Sequence, residues 1–145
     1  MRRATAADLE GLVALEGRCF SGTDGLFSRR QLRTLLSSPR CAWLVAGHFE
    51  GAACLLIAAN GRARWGRLYS LAVDPAYRNR GVARKLLTAS FAWFRAQGVA
   101  LVRAEVKSDN HAARRLYASL GFTEDRVLAD YYGPGHPGIK LSRPL

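Results

Sequence analysis

The sequence predicts one α/β (α+β) domain over residues 1–145, a sheet flanked by helices. Segments with apolar residues at helical spacing alternate with segments typical of strands, a pattern that indicates a helix-covered sheet. The 145 residues have the length of one ordinary domain, and no repeat or Pro/Gly-rich linker divides them. Hydrophobic residues make up 49% and charged residues 23%, which is a globular composition.

The first quarter of the chain predicts mainly helix. The elements are, in order, a strand over 2–5, a helix over 6–19, a loop over 21–25 and a helix over 28–36. Thr5 is the expected N-cap of the first helix because Asp8 follows three residues later, as in a capping box. Ser28 is the expected cap of the second helix, which ends before Pro39.

Three strands follow, over 42–49, 52–59 and 67–74. Glu50-Gly51 predicts a hairpin between the first two, and Asn60-Gly61 predicts a second turn. In the third strand, simple alternation places two residues on one face and three on the other. These are Leu68 and Ala72 on the first face, and Tyr69, Leu71 and Val73 on the second.

The second half begins with the clearest helix of the sequence. The elements are a helix over 80–97, a strand over 99–107, a helix over 109–120, and strands near 122–128 and 139–142 with a loop over 133–138 between them. Gly98 and Gly121 stand just past the two helices, where a left-handed C-terminal cap favours glycine. Asp109 or Asn110 is the expected N-cap of the second helix.

Charge and composition narrow the class of partner. Lys and Arg number 22 against 11 Asp and Glu, a net charge of +11, which leaves nucleic acid, anionic lipid and a polyphosphate cofactor open. The longest apolar stretch, 52–59, is far shorter than the ~20 residues of a membrane span. No signal peptide pattern follows Met1, and three cysteines without a CxxC pair argue against a disulfide scaffold or zinc site. A cytoplasmic domain without a metal is expected.

A basic loop between a strand and a helix carries the strongest chemical signal. The first N–H groups of a helix lack intrahelical acceptors and attract anions, so a diphosphate is a suitable ligand here. Gly81 and the small Ala83 allow close approach to the backbone. The surrounding cations are Arg78, Arg80, Arg84 and Lys85. From these residues alone, a pyrophosphate site and a solvated basic turn are equally open.

Two sequence blocks resemble the GNAT superfamily of acetyl-CoA-dependent N-acetyltransferases. Arg78-x-x-Gly81-x-Ala83 matches the motif [Q/R]-x-x-G-x-[G/A], and its flanks at 70–75 and 85–87 match as well. The stretch over 105–122 is similar to the second cofactor motif. Within the superfamily, the likeness is closest to the ribosomal-protein-alanine type, carried by Glu105-Val106, Asp109-Asn110, Leu116-Tyr117 and Asp130-Tyr131-Tyr132.

The resemblance implies a fold and a cofactor site. The fold is a central mixed, mostly antiparallel twisted sheet of about six or seven strands with about four helices. The co-substrate is acetyl-CoA. The residues implied to bind it are Leu71, Ala72, Val73, Arg78, Arg80, Gly81, Val82, Ala83, Arg84, Asn110, Ala113 and Tyr117.

The resemblance also assigns the chemical roles. The acceptor is a primary amine, which attacks directly in a ternary complex because the cysteines lie away from both motifs. Glu105 is the implied base, and the alternative is a strand glutamate paired with a nearby arginine. Tyr117 is the implied acid for the departing thiolate, and the alternative is a core aromatic. The implied oxyanion donor is a backbone N–H within 71–73.

The acceptor side is less defined. Tyr131 and Tyr132 match a tyrosine pair that contacts the acceptor in the family, whereas Glu16 and Phe20 are either groove residues or an ordinary helix end. Members of the alanine type carry acidic residues before the last strand, but this chain has His-Pro-Gly-Ile at 136–139, which puts a basic ribosomal acceptor in doubt. A protein or peptide amine, a small-molecule amine, and a non-catalytic basic nucleic-acid or ribosome-binding module therefore remain alternatives. The expected oligomeric state is a monomer or a homodimer.

Overall fold

The computed structural model of the chain describes residues 1–20, 27–60 and 63–145. The loop predicted over 21–25 and Gly61 of the second predicted turn lie outside these residues. Seven strands and four α-helices make up the described part. The strands are β1 (Arg2–Arg3), β2 (Cys41–Ala46), β3 (Gly51–Asn60), β4 (Ala63–Val73), β5 (Leu101–Lys107), β6 (Thr123–Leu128) and β7 (Gly138–Pro144). The helices are α1 (Leu9–Cys19), α2 (Arg29–Ser37), α3 (Val82–Ala96) and α4 (His111–Ser119).

The strands form one sheet in the order β1-β2-β3-β4-β5-β7-β6. Neighbouring strands are antiparallel except β4 and β5, which run parallel. The expected mixed, mostly antiparallel sheet with four helices is confirmed. A parallel pair needs a long crossover, and here α3 supplies it between β4 and β5.

Each face of the sheet has its own apolar core. On one face α3 packs Leu86, Leu87 and Phe94 against the sheet, and Tyr117 of α4 joins the same cluster. On the other face the helices α1 and α2 cover Trp43 and neighbouring residues of β2 and β3. The completely buried helix residues on that face are Leu12, Leu15 and Leu32. Burying each such side chain contributes ~1.5–3 kcal/mol, so the two cores fix the helices on opposite faces.

Local sequence signals place several helix ends correctly. Ser28 Oγ accepts a hydrogen bond from Gln31 N at 3.2 Å, and Asp8 accepts one from Thr5 N at 2.8 Å. Asn110 caps α4 by accepting from Ala113 N at 3.1 Å. Gly98 and Gly121 have φ of 74° and 86°, the left-handed conformation expected of a C-terminal cap.

The first hairpin turn lies earlier than predicted. β2 ends at Ala46 and β3 begins at Gly51, so the turn consists of residues 47–50 and not of Glu50-Gly51. Glu50 N donates to Ala46 O at 3.0 Å, and Gly47 and Phe49 both have positive φ. The four-residue turn forms because two residues in the left-handed conformation close it, while Gly51 pairs with Ala46 as the last pair of the two strands.

β4 departs from simple alternation. Its pairing with β3 shifts by one residue between Leu68 and Ser70, so Tyr69 is an extra residue in a β-bulge. Leu68 packs in the core under α3, whereas Ala72 packs in the core under α1 and α2. The prediction that Leu68 and Ala72 share a face is therefore wrong. The bulge also brings Tyr69 and Ser70, though consecutive, to the α1–α2 side, where they contact Phe27 and Glu16.

Candidate active site

The parallel strands β4 and β5 separate partway along their length. They pair only from Trp65 to Arg67 and from Leu101 to Arg103, although β4 continues to Val73 and β5 to Lys107. Beyond these pairs the two strand edges diverge, and their backbone N–H and C=O groups do not bond each other. The result is a wedge-shaped opening in the middle of the sheet, where an extended ligand can pair with the strand edges.

Helix α3 begins at the end of this opening. Gly81 is its N-cap, with φ of 76°, and the first helical bond runs from Lys85 N to Gly81 O at 3.0 Å. The N–H groups of the three intervening residues consequently lack helical acceptors. A Cβ added at Gly81 would meet nothing within 4 Å, so the space beside these donors is open. This geometry fits a pyrophosphate.

Cations surround the helix start in defined positions. Arg78 Nε donates to Val73 O at 3.2 Å and thereby ties the loop to the end of β4. Arg84 Nη2 donates to Ser119 Oγ at 2.8 Å, which links α3 to α4. The Arg80 guanidinium lies 5.4 Å from the Tyr77 ring centroid. The predicted phosphate-binding residues are thus gathered at one end of the opening.

Glu105 lies on β5 beside the opening and is largely buried. Arg67 of β4 donates from Nε to Glu105 Oε2 at 3.1 Å, and its Nη2 donates to the Tyr131 hydroxyl at 2.9 Å. The Arg67 guanidinium also stacks over the Tyr69 ring at 4.6 Å. The carboxylate is therefore paired with an arginine, as the alternative for Glu105 anticipated, and the same arginine links it to Tyr131.

Tyr117 of α4 is buried, and its ring makes an edge contact with Phe122 at 5.1 Å. Burial raises the pKa of its phenol, and the nearby Tyr132 and Glu105 raise it further. The side chain is therefore both a core aromatic and a phenol that stays protonated at neutral pH, which an acid requires. Asn110 and Ala113, the other α4 residues predicted to bind the cofactor, form the cap at the helix start.

Tyr131 and Tyr132, the residues predicted to contact the acceptor, have ring centroids 4.9 Å apart and nearly perpendicular planes. Burial raises the pKa of Tyr132 to about 12, and that of Tyr131 is raised for the same reason. A Cβ at Gly138 would lie 3.0 Å from Tyr132 Cε2 and 3.2 Å from Tyr131 Cβ. Gly138 is therefore needed for the close packing of both tyrosines.

Glu16 of α1 lies beneath the bulge of β4 and is 1% exposed. Ser70 Oγ donates to its Oε1 at 3.4 Å, and burial raises the pKa of this carboxyl to about 7. No ion pair joins it to the rest of residues 1–20, 27–60 and 63–145. Glu16 therefore belongs to the packed helix end, the second of the two alternatives.

Sequence reasoning missed three contributors to this site: Arg67, the bulge at Tyr69 and Gly138. For Arg67 the sequence contains only part of the signal: it indicates that an arginine can pair with Glu105, but not which one. The register of two strands 38 residues apart decides which arginine it is.

No group of three or more His, Cys, Asp or Glu side chains suited to a metal occurs in the described residues. Among the same residues, no helix has both the length and the apolar character needed to cross a bilayer.

A split sheet with a helix start at one end of the opening is the arrangement expected of an N-acetyltransferase domain. The sequence profile of the Acetyltransferase (GNAT) family matches residues 9–122, and the chain belongs to this family.

Named relatives agree with this assignment. The chain is 33% identical over 141 residues to an N-alpha-acetyltransferase RimI of Mycobacterium tuberculosis, covering 88% of this chain and 80% of that protein. It is 42% identical over 65 residues to a ribosomal protein bS18-alanine N-acetyltransferase of Haemophilus ducreyi, and this match spans only 45% of each protein. The crystal structure of the corresponding S18-alanine enzyme of Escherichia coli has a TM-score of 0.84 and 25% identity, covering 99% of this chain and 91% of that one.

Proposed function

We propose that the chain transfers the acetyl group of acetyl-CoA to a primary amine of a protein or peptide, either an N-terminus or a lysine. The observation that carries this proposal is the opening between β4 and β5, with the start of α3 at one end and Glu105 beside it. Amine and thioester meet directly in a ternary complex. The only cysteines are Cys19, Cys41 and Cys54, and all three lie outside the residues that form the opening.

Acetyl-CoA is the donor that this geometry favours. The free N–H groups after Gly81 and the cations beside them suit the pyrophosphate, and the exposed edges of β4 and β5 suit the amide groups of the pantetheine arm. This arrangement carries the thioester toward Glu105 and Tyr117. Backbone N–H groups within 71–73 are then the donors nearest to the developing oxyanion.

Glu105 accepts a proton from the ammonium form of the acceptor, directly or through a water molecule, and so produces the neutral amine. Only the neutral amine is a nucleophile, and an α-amine has a pKa of ~8 against ~10.4 for lysine. The neutral nitrogen then forms a bond to the thioester carbon as the C=O electron pair moves to the oxygen, and the nitrogen passes its second proton to water. Arg67 holds the carboxylate in place, so the base is positioned before the acceptor arrives.

Tyr117 completes the reaction at the sulfur. When the tetrahedral intermediate collapses, the C–S bond breaks and the thiolate leaves with the electron pair. The phenol donates its proton to that thiolate, and burial keeps the phenol protonated until then. The products are an N-acetylated amine and free CoA.

An open acceptor side supports a protein or peptide over a small amine. Tyr131 is 43% exposed, although its hydroxyl accepts the hydrogen bond from Arg67 beside Glu105. Sites that bind small molecules are typically closed pockets that bury most of the ligand's surface. The side that Tyr131 borders is instead continuous with the solvent, and an extended chain can leave it freely.

Two measurements test the proposal in sequence. Isothermal titration at low salt is expected to show acetyl-CoA binding, weakened several-fold in Arg80→Gln and unchanged in Arg95→Gln, which changes an exposed arginine at the other end of α3. Absence of binding would contradict the proposal. A peptide library incubated with labelled acetyl-CoA, followed by mass spectrometry, then identifies the acceptor. Failure to acetylate any peptide while small amines are acetylated would replace the peptide acceptor with a small molecule.

A further inference from the structure

A pocket of about 460 Å³ lies beside the candidate active site, between α2 and the strands β3 and β4. Its walls are mostly apolar, and its polar rim includes two arginines. The apolar lining residues are Phe27, Leu35, Leu56 and the ring of Tyr69. The arginines are Arg30 of α2 and Arg67 of β4. No feature of the acetyl-CoA site uses this pocket.

Arg67 joins the pocket to the chemistry. The same guanidinium that lines the pocket donates to Glu105 at 3.1 Å and to the Tyr131 hydroxyl at 2.9 Å. Only the Arg67 side chain therefore lies between the pocket and an acceptor amine placed at Glu105. Since an extended chain advances ~3.3 Å per residue, a side chain of the first or second acceptor residue reaches it.

Arg30 is the feature that points to the charge of the occupant. Its side chain is exposed at the rim, and within the described ranges it has neither an ion pair nor a side-chain hydrogen bond. Arginine binds carboxylates well because its planar fork matches their two oxygens. An apolar cavity with an arginine at its rim suits a short aliphatic stem that ends in a carboxylate.

The sheet face around Glu105 is, like Arg30, positively charged overall. Residues paired across a sheet point to the same side, and Arg67 pairs with Arg103 while Glu105 pairs with Lys140. For β4 to β7, the described residues give this face five cations and two carboxylates. The cations are Arg67, Arg103, Lys107, Arg126 and Lys140, and the carboxylates are Glu105 and Asp125. Such a surface attracts anionic chains and repels cationic ones.

We propose that the acceptor is an acidic N-terminal segment, and that the pocket between α2 and β4 binds an Asp or Glu side chain among its first two residues. This inference rests on the proposed N-acetyltransferase function and specifies its substrate class. The acidic side chain lies against the apolar walls, and its carboxylate pairs with Arg30. The remaining cations steer the following acidic residues.

Matched peptides test this preference. Peptides of identical length carry Glu, Gln or Lys at the first or second residue, and each kcat/KM is measured by release of the CoA thiol. Glu at one of these positions is expected to exceed Gln by about three- to tenfold, and Lys by more. The Glu-to-Gln ratio is expected to fall toward one in Arg30→Gln and to shrink as salt increases. In Arg30→Glu, the Lys peptide is expected to exceed the Glu peptide in kcat/KM. Arg95→Gln, on the opposite face of the sheet, should leave the ratio unchanged.

The outcomes separate this inference from the proposed function. Acetylation of all peptides with equal kcat/KM, or with a preference for Lys, would overturn the acidic acceptor and leave the acetyltransferase intact. An acidic preference that survives Arg30→Gln would overturn the role of the pocket. Acetylation of none of the peptides, with acetyl-CoA bound, would overturn the peptide acceptor itself.

Discussion

Replacing Glu16 with glutamine should change how the stability of the chain depends on pH. Glu16 is 1% exposed, and its carboxyl accepts a hydrogen bond from Ser70 Oγ at 3.4 Å and another from the backbone of Phe27. Burial raises its pKa from 4.5 to about 7. Between these two values the unfolded chain releases the proton while the folded chain keeps it, so the folded state binds more protons.

The sign and magnitude follow from proton linkage. The stabilising contribution is complete below pH 4.5, and it is lost as the pH rises through about 7. At ~1.36 kcal/mol for each tenfold change in proton affinity, the rise in pKa from 4.5 to about 7 removes about 3 kcal/mol from the free energy of unfolding. Most of this loss falls between pH 5 and pH 8. The amide of Glu16→Gln does not ionise, so the variant escapes the loss.

Urea denaturation at pH 5 and pH 8 measures the effect. The stability difference between Glu16→Gln and the unmodified chain should shift toward the variant by roughly 2 kcal/mol or more from pH 5 to pH 8. Other titrating groups cancel because both chains share them. Glu10→Gln, which changes an exposed carboxylate on the same helix, provides the control and should show no such shift. An equal difference at both pH values would refute the buried, protonated Glu16.

Four further predictions concern the site. Tyr117→Phe should lower kcat by about 100-fold while acetyl-CoA affinity measured by titration stays nearly the same; an unchanged kcat would leave Tyr117 a packing residue. Glu105→Gln should reduce activity most at low pH, where the amine is protonated, and a loss equal at all pH values would indicate positioning instead of base chemistry. Gly81→Ala should cost ~1–2 kcal/mol in urea denaturation because φ is 76°, and it should weaken acetyl-CoA binding; a stability equal to the parent would contradict the left-handed cap. Gly138→Ala places a Cβ 3.0 Å from a tyrosine ring carbon, so KM for the acceptor should rise more than KM for acetyl-CoA, and equal changes would argue against a role in acceptor binding.

The parts of the fold that depend on neighbouring residues in sequence could be predicted. Ser28, Asn110 and Gly98 act as caps because capping is decided within three or four residues. The hairpin before Gly51 shows the limit of such reasoning. A Glu-Gly pair indicates a turn, but because Gly51 pairs with Ala46 the turn consists of residues 47–50 and begins three residues earlier than predicted.

The candidate site depends on contacts between distant residues, and this explains what the sequence did not show. Simple alternation is a property of one strand, whereas the bulge at Tyr69 is a property of β4 paired with β3. The separation of β4 from β5 likewise results from two strands joined by a 15-residue helix. The motif around Gly81 located the helix start, but the partner of Glu105 required the parallel register that places Arg67 beside it.

The net charge of +11 includes two groups of cations at different places in this structure. One group of cations, near Gly81, faces the end of the opening where a pyrophosphate fits. The other, around Arg67 and Arg30, lines the pocket proposed to bind the acceptor. At physiological ionic strength the Debye length is ~8 Å, so charges at opposite ends of the opening are screened from each other and act independently. An anionic cofactor and an acidic acceptor can therefore be attracted at once, and raising salt should weaken each by its own measurable amount.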